Sequence, residues 1–410
     1  MQGKLRLVGP FRQVLTMDNI PVKGPLSDDQ LEITENAGIL IHGDAIETVG
    51  LFTELKSLTP EVEQIEGDFV AMPGLVDVHT HLAWTGSRAK DYALRLSGTS
   101  YTDIARQGGG IWNTVTSTRK AGNETLTRLI VQRAERLLKM GITTVEIKSG
   151  YGLDVDSELK ILEAIHKARD VSGADLVATC LAAHIKPKDF AGSPGEYLEY
   201  LVKELLPHVK SRSLSNRVDI YVDEGAFGVD DARYYLTEAK KLGFELVVHA
   251  DQFSAGGSGL AVEMEAVSAD HLEASSEKDI RKLAASRVFP VVLPGSSMGL
   301  GVGYAPARRL LDAGASLVIA SDWNPGSAPM GNLLLQAAVL GAYEKLTIAE
   351  TLSALTCRAA GALRVNDRGI LKPGLLADFI SFPCSDFREI VYYQGEMMPG
   401  MVWKKGRRRD

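Results

Sequence analysis

Short apolar runs alternate with longer, helix-like segments through the middle of the chain. Residues 123–140, NETLTRLIVQRAERLLKM, carry apolar positions at helical spacing, with an Asn at the predicted N-cap and Gly141 just past the end. Strands that alternate with helices favour a parallel sheet. The eight strand-like runs are VDVHTH (76–81), ITTVEIKSG (142–150), DLVATCLAAH (175–184), RVDIYVDEGAF (217–227), FELVVHADQ (244–252), AVSADHLE (266–273), RVFPVVLPG (287–295) and SLVIASDWNP (316–325).

Eight such units predict an α/β protein built on a closed (β/α)8 TIM-type barrel, spanning residues 71–325. An open doubly wound sheet is the alternative, and the absence of a G-x-G-x-x-G turn after an early strand weakens it. Both chain ends carry short strand-like runs with turn residues. We therefore expect residues 1–65 and 364–410 to form a small composite β-sandwich domain beside a barrel that, with its C-terminal helices, takes residues 66–363.

Composition narrows the class of protein. The 410 residues are 45% hydrophobic and 24% charged, which are globular proportions, and the net charge of −7 argues against nucleic acid as a partner. The start has no secretory apolar region, no 18-residue apolar run predicts a membrane span, and three scattered cysteines fit a reducing compartment. We expect a cytoplasmic protein. A homodimer is expected only because such folds often form one. The basic run at 404–409 is interpreted as a solvated, frayed end.

Histidines gather at the predicted C-terminal strand ends, where barrel enzymes carry their active sites. Five of the eight histidines fall there, and in the H-x-H pair of the first strand the two imidazoles share one face. Three imidazoles and one carboxylate suit a single divalent ion with a position left open for water. The predicted ligands are His79, His81, His249 and Asp322.

A connection of about 40 residues, 82–122, follows the first strand, whereas βα loops are usually of about 2–6 residues. Long ordered loops on barrels often act as lids. This one carries Arg88, whose planar fork suits a carboxylate, and Tyr101 as a secondary hydroxyl donor. At the barrel mouth, Lys148 is expected to pair with Asp223 or Glu224.

Several longer strings resemble the metal-dependent amidohydrolases, and within them the imidazolonepropionase family. The strings are PGLVDVHTHLAWTGSR, GTSYTDIARQGGGI, EIKSGYGLD, AAHIKP, HADQFS, SADHLE, SDWNPGSAP and the tail GILKPGLLADF. The resemblance implies hydrolysis of 4-imidazolone-5-propanoate to N-formimidoyl-L-glutamate in histidine degradation, with zinc or iron. By matching motif positions it implies the same four metal ligands, and it implies substrate contacts from Arg88, Tyr151, His184, Gln252, Asn324, Gly326 and Ser327.

Chemistry suggests a role for each group around such a reaction. Asp322 can take the proton of the attacking water and pass it to the leaving nitrogen. His271 can hold the water or stabilise the oxyanion. His184 can donate to the imidazolone carbonyl, and Gln252 can pair with the N–C=O edge of the ring.

One absence in the sequence indicates a single-metal site. Two-metal amidohydrolases commonly carry a modified lysine near the end of strand four. Here that strand ends VDEGAF, which contains no lysine. Two alternatives stay open: an aminohydrolase that releases ammonia from a purine or pyrimidine, and a barrel scaffold that has lost catalysis.

Overall fold

The structure is a computed structural model that describes residues 4–99, 103–104 and 109–409. The described strands form two sheets, one built from both chain ends and one from the middle of the chain. The strands are β1 (Leu5–Leu15), β2 (Ile33–His42), β3 (Ala45–Leu51), β4 (Val62–Gln64), β5 (Val70–Pro73), β6 (Leu75–Asp77), β7 (Ile142–Lys148), β8 (Asp175–Ala183), β9 (Arg217–Val222), β10 (Glu245–Ala250), β11 (Ser268–His271), β12 (Phe289–Val292), β13 (Val318–Ile319), β14 (Phe379–Phe382), β15 (Met401–Lys404) and β16 (Arg407–Arg409).

Strands β6 to β13 lie side by side in chain order and pair in parallel. The sheet closes just past the ends of β6 and β13, where Thr80 and Trp323 form a parallel bridge. There the backbone N–H of Asp322 donates to the carbonyl oxygen of His79 (3.0 Å), and the backbone N–H of His81 donates to the carbonyl oxygen of Trp323 (3.0 Å). The predicted eight-stranded barrel is confirmed, and its closing bonds involve the segments that carry three predicted metal ligands.

Helices cover the outside of the barrel through apolar stripes. In Asn123–Lys139 the buried positions Leu126, Ile130 and Ala134 recur every four residues, so one face packs inward. Gly122, not Asn123, is its N-cap, so that detail of the prediction is wrong. Its α-helical companions in the described residues are Phe52–Leu55, Ala89–Leu96, Ile111–Lys120, Val155–Arg169, Pro194–Tyr200, Leu206–Ser211, Val229–Lys241, Gly257–Glu263, Glu277–Ala285, Pro294–Leu300, Ala307–Asp312, Leu333–Glu344, Ile348–Leu355, Cys357–Ala362 and Arg388–Tyr392. Within the described ranges, no helix has both the length and the apolar character needed to cross a bilayer.

The second sheet joins the two chain ends. It runs in the order β16-β15-β14-β5-β1-β2-β3, with β4 paired to β1, and it mixes parallel and antiparallel pairs. An aromatic cluster fills its core: Phe379 stacks on Trp403 at 4.5 Å between ring centroids, and Phe11 meets both rings edge-on. A composite β-rich unit made from both ends is therefore present, while its exact boundaries stay a prediction.

The basic tail belongs to this sheet, so its interpretation as a frayed end is wrong; Arg407–Arg409 are exposed as expected, but Lys404 is buried. Lys404 is 1% exposed, and its Nζ lies 2.7 Å from Asp175 Oδ2 and 2.5 Å from Asp378 Oδ2. Asp175 begins barrel strand β8, so its ion pair with the buried Lys404 ties the tail to the barrel. The composition of the tail could not reveal this, because pairing depends on carboxylates more than 25 residues away in the chain.

Candidate active site

The four predicted metal ligands lie together at the C-terminal mouth of the barrel. The ring centroid of His79 is 4.4 Å from that of His249 and 5.3 Å from that of His81. Asp322 Oδ1 lies 3.5 Å from His79 Nε2 and 3.3 Å from His81 Nε2. All four side chains are almost completely buried. Residues separated by more than 240 positions thus present their donor atoms to one small volume.

His271 also reaches this cluster, although the sequence did not predict it as a ligand. Its ring lies 5.3 Å from that of His249 and 5.8 Å from that of His79. Two sets of donor atoms each fall within 4.8 Å of one another, namely His79, His81 and Asp322, and His79, His249 and His271. His79 belongs to both sets, so it marks the centre of the candidate site.

The orientation of two histidines fits a metal ion. His79 Nδ1 lies 2.6 Å from Asp270 Oδ2, and His249 Nδ1 lies 2.9 Å from Asp219 Oδ2. The Nε2 atoms of both rings are buried and have no hydrogen-bond partner among the described residues. Metal-ligating histidines usually direct one nitrogen to the ion and the other to a carboxylate. Burial, followed by the charge of Lys148, holds the pKa of His79 well below its usual value, which favours the neutral imidazole that binds metal.

Lys148 lies beneath the histidines, and its partners differ from those predicted. Its Nζ is 2.9 Å from Glu146 Oε1, 2.9 Å from Asp219 Oδ2 and 3.8 Å from Asp270 Oδ2. The predicted pairing with Asp223 or Glu224 is therefore wrong. The error arises because side chains alternate along β7, so Lys148 and Glu146 share the inward face while Asp223 lies past the end of β9.

His184 and Tyr151 form one side of the mouth. The His184 ring stacks on that of His81 at 5.5 Å and lies 5.7 Å from that of Tyr151. His184 Nδ1 is 3.0 Å from the carbonyl oxygen of Gly150, so an Nδ1–H can donate there and leave Nε2 as an acceptor. Burial, followed by the nearby His81 and His249, lowers the pKa of His184 well below its usual value.

Sequence reasoning missed a buried residue that shapes this side. The Glu158 carboxylate accepts the backbone N–H groups of Gly150, Gly152 (2.7 Å) and Leu153 (2.9 Å). These bonds fix the turn that carries Tyr151. A glutamate in the first turn of a helix, close after a Gly-containing turn, was the available signal.

Gln252 faces the mouth from the segment after β10. Its Oε1 accepts the hydroxyl of Tyr221 (2.8 Å), and its Nε2 donates to Ser296 Oγ (3.2 Å). Its backbone N–H donates to Asp223 Oδ2 (2.9 Å). The amide is thereby held in one orientation. Tyr221 was not predicted, and its place one residue before the end of β9 was the only sequence signal.

The loop after β13 folds around Asn324. Its Oδ1 accepts the N–H groups of Gly326 (2.7 Å) and Ser327 (2.9 Å), and its Nδ2 donates to the carbonyl of Asp322 (2.7 Å) and to Ser327 Oγ (2.9 Å). Ser327 Oγ in turn lies 3.4 Å from Asp322 Oδ2. The side chain of Asn324 therefore organises the loop next to the candidate ligand Asp322.

Arg88 reaches the same loop from the long connection after β6. Its Nε donates to Asp91 Oδ2 (2.6 Å), and its Nη1 is 3.0 Å from where a Cβ on Gly326 would lie. Asp91 Oδ2 also accepts the N–H of Gly110 (2.8 Å). Part of the 82–122 connection is helical, in Ala89–Leu96 and Ile111–Lys120. The predicted contributor Tyr101 lies outside the described residues.

With this geometry established, comparison with known proteins identifies the family. A model of the amidohydrolase family matches residues 104–408. An imidazolonepropionase of Alkaliphilus oremlandii is 39% identical over 395 residues, covering 94% of this chain and 93% of its own length. One of Bacillus velezensis is 39% identical over 398 residues, covering 96% and 94%. The chain belongs to the imidazolonepropionase family.

Solved structures support the fold of this imidazolonepropionase-family chain. It superposes on an atrazine chlorohydrolase of Arthrobacter aurescens with a TM-score of 0.71 at 18% identity, covering 98% of this chain and 94% of that one. An ochratoxinase of A. niger gives 0.71 at 17% identity, covering 100% and 96%. At such identities the likeness concerns the fold alone.

Family membership confirms two broader predictions, that the chain is a hydrolase and that it binds metal. The amidohydrolase match covers most of the barrel and the tail, and the clustered His and Asp donors supply a place for an ion.

Proposed function

We propose that this chain hydrolyses 4-imidazolone-5-propanoate to N-formimidoyl-L-glutamate, a step of histidine degradation. The observation that carries the proposal is 39% identity to imidazolonepropionases over nearly the whole chain, combined with buried imidazole and carboxylate donors at the barrel mouth. In this reaction water adds to the ring carbonyl carbon, the bond from that carbon to the ring nitrogen breaks, and the nitrogen receives a proton. A new carboxylate results.

We propose one ion per subunit, zinc or iron, held by His79, His81, His249 and Asp322. The unpartnered Nε2 atoms of His79 and His249 support this set. When bound, such an ion supplies Lewis-acid activation of water and of the amide carbonyl. Both metals accept imidazole and carboxylate ligands, so availability can decide which one is bound.

The chain's own residues then handle protons and charge. Asp322 accepts a proton from the attacking water and delivers it to the leaving ring nitrogen. Its Oδ2 contacts Ser327 Oγ at 3.4 Å, which orients the carboxylate. His271 stabilises the negative charge that develops on the carbonyl oxygen, and its ring lies within 5.8 Å of those of His79 and His249.

Groups around the mouth bind and orient the substrate. Arg88 holds the propanoate tail through its Nη atoms, because its Nε is already bonded to Asp91. Gln252, fixed by Tyr221 and Ser296, pairs with the N–C=O edge of the ring. His184 and Tyr151 contact the opposite edge, and Asn324, Gly326 and Ser327 form the wall beside Asp322. A cytoplasmic location and a homodimer stay predictions from sequence and fold class.

The direct test follows the ultraviolet absorbance of imidazolonepropanoate during incubation with the purified protein. The wild type should remove the conjugated ring rapidly, chelator should stop it, and His249→Ala should abolish it. Arg88→Ala should lower kcat/KM by about 10–150-fold, the loss of roughly 1.5–3 kcal/mol for hydrogen bonds to a charged group.

Arg233→Ala is the matched control, because that arginine lies on an exposed helix face and pairs with Asp230 and Glu263. It should keep the wild-type rate. An unchanged rate and KM in Arg88→Ala would make the carboxylate assignment wrong. Ammonia release from a purine or pyrimidine base would favour the aminohydrolase alternative. A metal-free protein without activity would favour the inactive scaffold.

A further inference from the structure

Beneath the candidate metal centre, the barrel interior holds a charged group that the proposed reaction does not use. We call Glu146, Lys148, Asp219 and Asp270 the Lys148 cluster. All four side chains are at most 1% exposed. In the described part of the chain, the ion pairs that these three carboxylates make with a lysine or an arginine all involve Lys148. One ammonium thus faces three carboxylates in a region shielded from bulk water.

Two carboxylates of the Lys148 cluster also contact candidate metal ligands. Asp219 Oδ2 lies 2.9 Å from Lys148 Nζ and 2.9 Å from His249 Nδ1. Asp270 Oδ2 lies 3.8 Å from Lys148 Nζ and 2.6 Å from His79 Nδ1. The same oxygen atoms therefore face the lysine on one side and an imidazole on the other.

The position of these buried carboxylates beside the imidazoles depends on Lys148. A buried carboxylate that loses its ion-pair partner turns toward another donor or toward water, so without the ammonium these groups would leave their present positions. A displaced carboxylate no longer meets Nδ1, and the imidazole loses the contact that fixes its tautomer and its ring orientation. Mutation of the hydrogen-bond partner of a metal-bound histidine typically lowers the metal affinity by about 10–100-fold.

We propose that Lys148 is a positioning residue for the metal centre, because its ammonium holds the Asp219 carboxylate at 2.9 Å, and more distantly that of Asp270 at 3.8 Å, against the Nδ1 atoms of His249 and His79. The inference rests on the metal site of the proposed function but does not depend on the identity of the substrate. Lys148 itself contacts neither metal ion nor substrate in this scheme.

The test compares Lys148→Met with Lys404→Met. Lys404 is likewise 1% exposed and paired with two aspartates, but at the barrel–tail junction, so its loss should affect stability alone. Apoprotein is titrated with Zn²⁺ in competition with a chromogenic chelator. Lys148→Met should bind Zn²⁺ about 10–100-fold more weakly than wild type, and Lys404→Met should bind it as wild type does. With Co²⁺ as the probe, the visible absorption band should shift only in Lys148→Met.

Asp219→Asn provides the second variant. It should weaken Zn²⁺ binding, and adding Lys148→Met to it should cause a smaller further loss than in wild type, because the lysine acts through that carboxylate. If Lys148→Met does not fold, as judged by circular dichroism, an unaltered Zn²⁺ affinity in Asp219→Asn refutes the inference. Equal Zn²⁺ affinities in Lys148→Met and Lys404→Met refute it directly. A wild-type protein that binds Zn²⁺ but leaves imidazolonepropanoate intact refutes the proposed function instead.

Discussion

Substitution of Gly299 tests how strongly the activity depends on the position of the loop after β13. This glycine lies in the helix Pro294–Leu300, and a Cβ added to it would lie 1.6 Å from the carbonyl oxygen of Ser327. Real Cβ atoms essentially never come within 3.0 Å of a heavy atom outside their own residue and its chain neighbours, so Gly299→Ala must separate helix and loop by at least about 1.4 Å.

The loop cannot absorb that shift without losing bonds. Ser327 is held by Asn324 through its N–H (2.9 Å) and its Oγ (2.9 Å), and Ser327 Oγ approaches Asp322 Oδ2. Overpacking costs about 1–3 kcal/mol, which leaves a domain of typical stability, about 5–15 kcal/mol, mostly folded. A displacement of about 1 Å near reacting groups can cost about 100-fold in rate. We therefore expect kcat/KM to fall by about 100-fold in folded protein.

The assay is imidazolonepropanoate decay, with circular dichroism and bound metal measured on the same samples. Gly303→Ala is the control, because a Cβ there meets nothing within 4 Å and the backbone is not in the left-handed region. A Gly299→Ala protein as active as Gly303→Ala would show that the loop tolerates displacement, and the role given to Asn324 and Ser327 would fail.

Two further predictions concern the carboxylates of Asp175 and Glu158. Although burial alone would raise the pKa of Asp175, Lys404 and Arg368 lower it to about 2, so its stabilisation is present above pH 4 and is lost as the pH falls toward 2. Asp175→Asn should therefore lower the free energy of unfolding in urea at pH 6 and reduce its decline between pH 4 and pH 2; parallel wild-type and variant curves would contradict this. Glu158→Gln places an amide N–H₂ among backbone donors, so it should lower the free energy of unfolding by about 1–3 kcal/mol. It should also raise KM more than it lowers kcat. Faster hydrogen exchange at 150–153 is the accompanying measurement, and unchanged exchange there would count against the role of Glu158.

Sequence reasoning succeeded where a pattern repeats or where chemistry recurs at equivalent positions. The alternation of strands and helices predicted the barrel, because the two hydrophobic periods differ and parallel strands require crossover connections. Histidines at five strand ends predicted that His79, His249 and His271 would lie near one another, since all C-terminal strand ends meet at one face of a barrel. That the three histidines come together follows from the topology of the barrel.

The wrong predictions concern the ion-pair partners and the burial of charged side chains. Lys148 was assigned to Asp223 or Glu224, which follow β9, two strands away in the barrel, but inward alternation gives it Asp219 instead. The tail lysine Lys404 was interpreted as solvated and is buried against the barrel. No local pattern distinguishes these outcomes, because the free energy of a buried charge depends on which distant groups surround it.

By itself, the sequence determined the fold class, the face of the barrel that carries chemistry and the residue types available there. Only the tertiary structure decided which nitrogen of each histidine faces a carboxylate, which buried cation accompanies those carboxylates and which backbone turns hold the outer residues. The reason is physical: periodicity along the chain fixes the direction in which a side chain points, but hydrogen bonds and ion pairs are decided over about 3 Å between residues far apart in sequence.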